Sequence, residues 1–378
     1  MHIAINCHTL VGKFTGIQRA TREMIAALVA ADSDCRFTAY VPRKFGPDVL
    51  PESAHLVRRA SWIPAGNRTL RILWEQFFLP ARLQKDGADL FHAPCYVMPL
   101  WCRTPTVVTI HDVLAFSHPR FCTRSNRSHF YRILPKTVER AARLVVPSHA
   151  VKRAVVDTFT SIRSDKVRVI PWGVSERFRP LAERAEREAA ALRLGLPPRY
   201  ILHVGRNEPK KNIAQAVKAF FAAMLDKKLP HQMVLAGPTG WGVRERERMV
   251  QQLGLESRVV CLGYVDERDL PAVYSLADAL VFPSLAEGFG FPVLEAMACG
   301  TPVIASDIPA LSELAEGAAH LVRPGSLPAL RNAIETVLTD PVYAGELAAR
   351  GRERAGAFPW NRHAEAMLQL YDEVLRKG

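Results

Sequence analysis

The sequence predicts an α/β protein of two Rossmann-like, doubly wound domains that face each other across a cleft. Short apolar segments with the length of buried strands alternate along the chain with longer segments of helical periodicity. This alternation is typical of parallel sheets with right-handed crossovers. Two such runs are separated by a turn-forming break, Gly195-Leu196-Pro197-Pro198. The 378 residues are long for one hydrophobic core and sufficient for two.

The first run predicts an N-terminal domain over residues 1–176. Helices are expected over 17–31, where Ile17, Ala20 and Met24 recur at helical spacing, and over 148–160, capped by Ser148. Strands are expected over 2–7, 36–41, 90–92, 106–110, 144–147 and 167–171. Open α/β sheets bind ligands beyond the carboxyl ends of their strands, so the loops that follow these strands should carry the chemistry.

The second run predicts a C-terminal domain over residues 195–357, preceded by a charged helix over 181–194. Strands over 200–204, 232–236, 259–262, 279–283 and 302–305 alternate with helices over 213–224, 244–253 and 269–276. A last amphipathic helix is expected over 360–376. Its apolar face is predicted to consist of Ala364, Met367, Leu368, Tyr371 and Leu375.

Several classes of protein are disfavoured by composition. No apolar run approaches the roughly 20 residues that cross a bilayer, and the N-terminus is typical of a first strand rather than a signal peptide. The seven cysteines are scattered, without a Cys-x-x-Cys pair or zinc spacing. The one Asp-x-Asp, Asp32-Ser33-Asp34, is expected in a turn far from the cleft. We therefore expect a cytoplasmic protein with reduced thiols, no metal site and no cofactor.

Positive charge is concentrated in the first half of the chain. Residues 1–180 hold 27 of the 50 Lys and Arg but only 13 of the 37 Asp and Glu. Such a basic half predicts an anionic partner, which is nucleic acid, acidic lipid or a phosphorylated substrate. The alternative is a basic, solvated surface without a partner.

Two basic stretches with aromatic residues are candidates for contact with an anionic membrane. One is 62–83, with Trp62, Trp74, Phe77 and Phe78, and the other is 120–143. For 62–83 an ordinary helix packed on the first sheet is the favoured alternative. For 120–143 electrostatic attachment is favoured over a merely solvated helix face.

The densest motif follows the strand predicted over 279–283. Gly288 and Gly290 permit a tight turn and close approach of a ligand to the backbone. A helix then begins near Pro292, and its free amides near Gly290 and Phe291 would face a diphosphate. The predicted donor-binding set of this turn is Gly288, Phe289, Gly290 and Phe291, with the acids Glu287 before it and Glu295 one helical turn inside.

A second motif follows the strand predicted over 200–204. Gly205 allows a sharp turn, and Arg206 and Lys211 stand five residues apart on one loop. Two cations at a strand end would neutralise a diphosphate, the arginine through paired donors and the lysine as a point charge.

In order and spacing, the two motifs resemble the donor site of the family 4 retaining glycosyltransferases, which have the two-domain GT-B fold. Residues 204–212 are similar to that family's Gly-Arg-x4-Lys loop, and 287–298 to its Glu-x7-Glu motif. The resemblance implies that Arg206 and Lys211 hold the diphosphate and stabilise the leaving group. It also implies that Glu287 contacts the donor sugar, while Glu295 contacts the ribose.

The resemblance extends over nearly the whole chain. Residues 263–265 are similar to the family's base-contacting loop, which assigns Tyr264 and Val265 to the nucleobase. The loop with Gly16 and Ile17 resembles its glycine loop beside the donor phosphates, and His111 its histidine near the anomeric centre. Residues 358–378 are similar to the terminal helix that crosses back to the first domain.

The resemblance implies a hexosyltransferase that works without metal and retains configuration through same-face attack. The expected donor is a GDP-sugar of the mannose or deoxyhexose type. The expected acceptor is a lipid-linked or lipopolysaccharide glycan, for cell-surface polysaccharide biosynthesis at the inner face of the cytoplasmic membrane. The alternatives are a nucleotide-sugar epimerase or phosphorylase on the same fold and a nucleic-acid-binding protein. The acids of the glycine turn disfavour the last, and we expect no nucleic-acid partner.

Overall fold

The chain folds around two parallel sheets in the computed structural model, which describes residues 1–12, 14–31, 34–64, 66–238, 240 and 243–377, apart from the side chains of 243–246 and 377. One sheet belongs to a unit formed by Met1–Gly173 with Phe358–Gly378, and the other to a unit formed by Val174–Ala357. Two of the three residues of the Asp-x-Asp, Asp32 and Ser33, lie outside the described residues.

The sheet of the N-terminal unit has the order β3-β2-β1-β4-β5-β6-β7 among the described residues. Its strands are β1 (His2–Asn6), β2 (Arg36–Val41), β3 (Leu56–Ala60), β4 (Leu90–Ala93), β5 (Thr106–Thr109), β6 (Arg143–Val146) and β7 (Val167–Val169). All neighbours pair in parallel. The central strands are buried along their length, as expected for a sheet covered on both faces.

Helices on both faces connect these strands. They are α1 (Gly16–Ala31), α2 (Arg68–Leu73), α3 (Leu79–Lys85), α4 (Leu114–Ser117), α5 (Arg124–Arg140) and α6 (His149–Thr158). A π-helical turn, Trp74–Phe78, joins α2 to α3, so that 68–85 is one helical stretch. The predicted cap of α6 is present, since Ser148 Oγ accepts from the amide of Val151 at 3.1 Å.

The sheet of the C-terminal unit has the order β10-β9-β8-β11-β12-β13 in the described part of the chain. Its strands are β8 (Tyr200–Val204), β9 (Gln232–Ala236), β10 (Val259–Gly263), β11 (Ala279–Phe282), β12 (Val303–Ser306) and β13 (His320–Val322). This is the strand order of a classic dinucleotide-binding fold, and its direction of winding reverses between β8 and β11.

The helices of this unit are α7 (Arg184–Leu194), α8 (Ile213–Lys227), α9 (Val243–Gln252), α10 (Leu270–Ser275), α11 (Phe291–Ala298), α12 (Pro309–Ala315), α13 (Leu327–Thr339) and α14 (Pro341–Gly356). Helix α7, which the sequence placed between the domains, thus belongs to the second compact unit. Among the described residues, one apolar cluster of the core of this unit joins α8 and α13 to strands β8 to β13.

The last helix, α15 (Trp360–Lys377), packs against α1 of the N-terminal unit. The hydroxyl of Tyr371 is 2.7 Å from Nδ1 of His92, a fully buried residue of β4. The predicted apolar face was wrong at two positions. Leu370 and Val374 are buried with Ala364, Met367 and Tyr371, whereas Leu368 and Leu375 are only half-buried. The buried stripe thus runs through 367, 370, 371 and 374 at helical spacing.

The sequence missed β3, β13 and the helices α12 to α14. Strand β3 is an edge strand of sequence Leu-Val-Arg-Arg-Ala, and most of it is exposed. It lacks the apolar run of a buried strand, and it is held by pairing with β2. No helix of the described residues has the length and apolar character needed to span a membrane.

Candidate active site

The two predicted motifs of the C-terminal unit meet where the winding of its sheet reverses. Strands β8 and β11 are neighbours, so the loops after Val204 and after Phe282 emerge side by side. Ligands of doubly wound sheets bind at this switch point, beyond the carboxyl ends of the strands. The amide of Leu285 donates to the carbonyl of Lys210 at 2.7 Å, which joins the two loops directly.

The loops after β8, β9 and β10 are also joined through their backbones. The amide of Gly205 donates to Ala236 O at 2.9 Å, and that of Gly237 to Gly263 O at 2.7 Å. A Cβ at Gly237 would lie 2.1 Å from Gly205 O, so the close approach requires glycine there. Sequence reasoning had assigned a turn to Gly205; the structure adds that its carbonyl packs against Gly237.

Lys211 and Glu287 form a buried ion pair at the switch point. Lys211 Nζ donates to Glu287 Oε1 at 2.6 Å, and the two side chains are only 12% and 9% exposed. The ammonium group also lies 4.5 Å from the centre of the Phe282 ring, within the range of a cation–π contact. The structure therefore brings together two residues that the sequence assigned to the diphosphate and to the sugar.

The electrostatics of the pair favour an ionised carboxylate. Burial by itself would raise the pKa of Glu287, but the charges of Lys211 and Lys210 outweigh burial and lower that pKa. Burial lowers the pKa of Lys211, and the charge of Glu287 opposes this change. A buried charged pair at the switch point of this sheet is a candidate for function, because ligands of doubly wound sheets bind at that point.

Arg206, the other predicted cation, stands apart from this pair. Its side chain is 57% exposed, and Nη1 lies 3.9 Å from Glu208 Oε1. The neighbouring Asn207 is buried, and its Nδ2 has no hydrogen-bond partner in the described structure. The loop thus offers a solvent-facing guanidinium beside a buried, unsatisfied donor, which suits binding of an anion from solution.

His203 is a buried residue of this site that the sequence analysis did not single out. Its Nδ1 is 3.0 Å from the carbonyl of Val281, while Nε2 is buried without a partner in the described part of the chain. Burial lowers the pKa of His203 to about 4. The sequence feature that could have identified this residue is a histidine within an apolar strand, two residues before Gly205.

The glycine turn leads into α11 as predicted. Gly290 has φ +114°, and a Cβ there would lie 2.5 Å from Leu311 Cδ2, so this position requires glycine on both counts. Gly288 is half-buried, and the rings of Phe289 and Phe291 meet edge to face at 5.3 Å. Pro292 lies in the first turn of the helix.

Glu295 is placed differently from Glu287. Its side chain is 3% exposed, and Oε2 accepts from the hydroxyl of the buried Tyr274 at 2.8 Å. The structure does not bring Glu295 into contact with Lys211, and its predicted contact with a ribose stays a prediction. Tyr264 and Val265, the predicted base contacts, are half-buried just after β10.

The remaining predicted residues belong to the N-terminal unit. Gly16 and Ile17 begin α1, where Gln18 Oε1 accepts from the backbone N–H of Thr15 at 3.2 Å, as in one half of a capping box. His111 follows β5 and is buried. Its Nε2 donates to Pro94 O at 2.8 Å, and burial lowers its pKa, so the neutral ring keeps Nδ1 as an acceptor.

Comparison with known families assigns both halves of the chain. Residues 14–178 match the model of Glycosyltransferase Family 4, and residues 185–356 match that of Glycosyl transferases group 1. The chain belongs to family 4 of the glycosyltransferases. It is an enzyme of the hexosyltransferase type, and its two parallel-sheet domains are those of the GT-B fold.

Individual relatives agree with this assignment. The chain is 27% identical over 289 residues to O-antigen chain mannosyltransferase B of Escherichia coli. The aligned residues cover 76% of this chain and 75% of that protein. It is 30% identical to the serotype-specific mannosyltransferase WbdA of Escherichia coli, over 72% of this chain but only 34% of WbdA. The chain thus spans about a third of that larger relative.

A solved structure with the same fold is sucrose-phosphate synthase from Thermosynechococcus elongatus. It superposes with a TM-score of 0.80 at 26% identity, over 100% of both chains. The family assignment and the fold confirm the resemblance that the sequence motifs indicated. They leave the donor, the acceptor and the stereochemistry to be inferred from the site.

Proposed function

We propose that this glycosyltransferase moves a mannose-type hexose or a deoxyhexose from a GDP-sugar to a growing lipid-linked or lipopolysaccharide glycan, with retention of configuration and without a metal ion. The buried Lys211–Glu287 pair at the switch point of the C-terminal sheet carries the proposal. Relatives that are O-antigen and serotype-specific mannosyltransferases support the choice of sugar and of acceptor class.

The proposed chemistry uses this pair in two ways. The diphosphate of the donor would take Lys211 as one of its cations, with Arg206 supplying a second from solvent. Glu287, released from the ammonium group, would accept hydrogen bonds from hydroxyls of the donor sugar. Fixed positive groups aimed at a leaving diphosphate stabilise charge that develops in the transition state.

Metal independence is proposed because Arg206 and Lys211 would supply two positive charges to the diphosphate in place of a metal ion. In the proposed step the bond from the anomeric carbon to the phosphate oxygen breaks, and the bond to the acceptor oxygen forms on the same face. The acceptor proton passes to the departing phosphate oxygen.

Nucleotide binding tests the donor half of the proposal. Thermal unfolding is measured with GDP, UDP, ADP and dTDP in EDTA, for the wild type, Arg206→Ala and a matched control, Lys218→Ala, an exposed lysine of α8. A ligand at 100 times its Kd adds about 2.7 kcal/mol, or roughly 5–11 °C for a domain of this size. We expect this shift with GDP and its loss in Arg206→Ala alone.

Other outcomes of this panel contradict separate parts of the proposal. A thermal shift with UDP only would exclude a GDP-sugar as donor. A shift that appears only when Mg²⁺ or Mn²⁺ replaces EDTA would exclude metal independence. The configuration of the product is read by NMR coupling at the new anomeric centre. An inverted product, or a trapped glycosyl-enzyme adduct, would refute retention by same-face attack.

Peripheral attachment to the inner face of the cytoplasmic membrane is part of the proposal. Several aromatic side chains of the N-terminal unit are exposed: Trp62, Phe77, Phe78 and Trp101 at 51%, 63%, 55% and 67%. The exposed face of α5 adds Arg124, Arg127, Arg132, Lys136 and Arg140. Aromatic groups beside basic ones are typical of an anionic lipid interface.

Flotation with vesicles tests the attachment. We expect binding to phosphatidylglycerol vesicles and weak binding to phosphatidylcholine vesicles. Phe77→Ser with Phe78→Ser should weaken flotation, whereas Leu225→Ser, at an exposed leucine of the other unit, should not. Equal flotation of both variants would exclude the aromatic cluster as the attachment site.

A further inference from the structure

A second site of the N-terminal unit lies at the reversal of its own sheet. Winding reverses between β1 and β4, which are neighbours, and a cavity of about 230 Å³ opens beyond their carboxyl ends. Asn6 is the last residue of β1, and Tyr96 lies in the loop after β4. Helices α2 and α5 supply the outer walls. Its position is the one at which doubly wound domains bind ligands.

The cavity is lined by two guanidinium groups from one helix. Arg68 and Arg71 are three residues apart on α2 and therefore project from the same side. Arg68 Nη1 is held by Asn126 Oδ1 of α5 at 2.6 Å. Arg71 Nε is buried and has no hydrogen-bond partner in the described structure, since the nearest acid, Glu75 Oε1, is 3.7 Å away.

The one acid among the lining residues does not neutralise these charges fully. Glu75 is 7% exposed and accepts from Asn6 Nδ2 at 2.9 Å. Burial raises the pKa of Glu75, while the charge of Arg71 and the hydrogen bond from Asn6 oppose this change. His129 is kept neutral, because burial and then the two arginines lower its pKa. The cavity thus presents more positive than negative charge.

We propose that this cavity binds a phosphate or diphosphate group of the acceptor. The inference rests on the proposed function and assigns the acceptor chemistry to named residues. Its volume is below the roughly 300–1,000 Å³ of pockets for drug-sized ligands, so it fits one compact group rather than a chain of sugars. Arginines in pairs are the usual partners of phosphate oxygens, and the unsatisfied Arg71 Nε supplies a donor ready for one.

The surroundings favour a lipid-linked phosphate over one carried by a soluble glycan. The same helical stretch, 68–85, turns Arg68 and Arg71 into the cavity and leaves Leu73, Phe77 and Phe78 exposed at 44%, 63% and 55%. A phosphate at the end of a lipid would thus meet cations and apolar side chains of one element. Phe130 of α5 adds an apolar wall to the cavity itself.

Calorimetric titration with inorganic pyrophosphate tests the site. The background for this titration is the triple variant Arg206→Ala, Lys211→Met and Glu287→Gln. Its substitutions disable the proposed donor site, so that pyrophosphate cannot bind there. Into this background Arg71→Gln and Arg68→Gln are introduced separately, with Arg153→Gln as control, because Arg153 is exposed on α6 and does not line the cavity. Unchanged thermal unfolding verifies the fold of each variant.

We expect pyrophosphate to bind this background protein. Binding should be more than tenfold weaker after Arg71→Gln or Arg68→Gln, and unchanged after Arg153→Gln. Binding that is lost already in the background, or that ignores both cavity arginines, overturns the proposal. Flotation then separates the two sources. Arg71-dependent binding to phosphatidylcholine vesicles that contain polyprenyl phosphate supports the lipid source. Arg71-dependent pyrophosphate binding without it supports a phosphorylated glycan.

The donor site is scored independently in the same proteins. Arg71→Gln in the otherwise wild-type chain should keep the full thermal shift with GDP. If no nucleotide stabilises the wild type while pyrophosphate binding still depends on Arg71, the proposed function fails and the anion site stands. If GDP binds and pyrophosphate ignores Arg71, the reverse holds.

Discussion

The ion pair between Lys211 and Glu287 makes a prediction that separates stability from function. Both side chains are about nine-tenths buried, so neither charge is solvated once its partner is removed. Removing one partner of a buried pair lowers the free energy of unfolding by about 3–5 kcal/mol. Replacing both partners with uncharged side chains of similar volume often changes it little. Lys211→Met and Glu287→Gln should therefore each be strongly destabilising, and the double variant much less so.

The expected size follows from the domain that holds the pair. For a unit the size of Val174–Ala357, 1 kcal/mol corresponds to roughly 2–4 °C in Tm, so a loss of about 3 kcal/mol lowers Tm by roughly 6–12 °C. The double variant should recover most of this loss. Lys218→Met, at an exposed lysine of α8, should stay within about 0.5 kcal/mol of the wild type.

The assay is a double-mutant cycle by urea unfolding, followed by GDP titration of each protein. A coupling energy near zero, with the two single losses simply adding in the double variant, would refute the buried pair. The double variant should be stable yet bind GDP at least tenfold more weakly. If it binds GDP as the wild type does, Lys211 is not a ligand of the diphosphate.

Three further predictions concern the fold that supports these sites. Burial lowers the pKa of His8, His203 and His363 to about 4 from the ordinary 6.5, so between these pH values the unfolded chain binds more protons and stability is lost as pH falls. His363→Asn, whose amide nitrogen takes the position of Nδ1 and can still donate to Pro171 O, should flatten the slope of the unfolding free energy by up to about 1.4 kcal/mol per pH unit. An unchanged slope in urea titrations would contradict this. Gly290→Ala should add backbone strain of about 1–3 kcal/mol and a clash with Leu311 of similar size. Gly317→Ala, where φ is +83° but the space is open, should cost the strain alone. Equal losses of Tm in the two variants would exclude the clash. Tyr371→Phe removes the hydrogen bond to His92 and should lower the free energy of unfolding, measured by chemical denaturation, by about 1–3 kcal/mol. The same change at the exposed Tyr131 should lower it hardly at all. Equal losses in the two variants would disprove docking of α15 through this bond.

Much of the fold followed from local signals that a sequence carries in full. Strands such as β8 and helices such as α8 can be predicted from the period and length of their apolar residues, without knowledge of what they pack against. The cap at Ser148, the glycine at 290 and Pro292 are likewise decided within a few residues. The two motifs of the donor site are contiguous along the chain, and their residue types indicated diphosphate chemistry before any contact was known.

Contacts between distant segments were decided only by the tertiary structure. The pairing of Lys211, rather than Arg206, with Glu287 depends on β8 lying beside β11. The cavity with Arg71 and Glu75 depends on α2 covering the reversal between β1 and β4. The buried stripe of α15 runs through Leu370 and Val374, in a helix that packs against the distant α1. Periodicity states that a helix has an apolar face and that a loop follows a strand, but burial and charge pairing arise from strand order and packing, which join residues far apart in the chain.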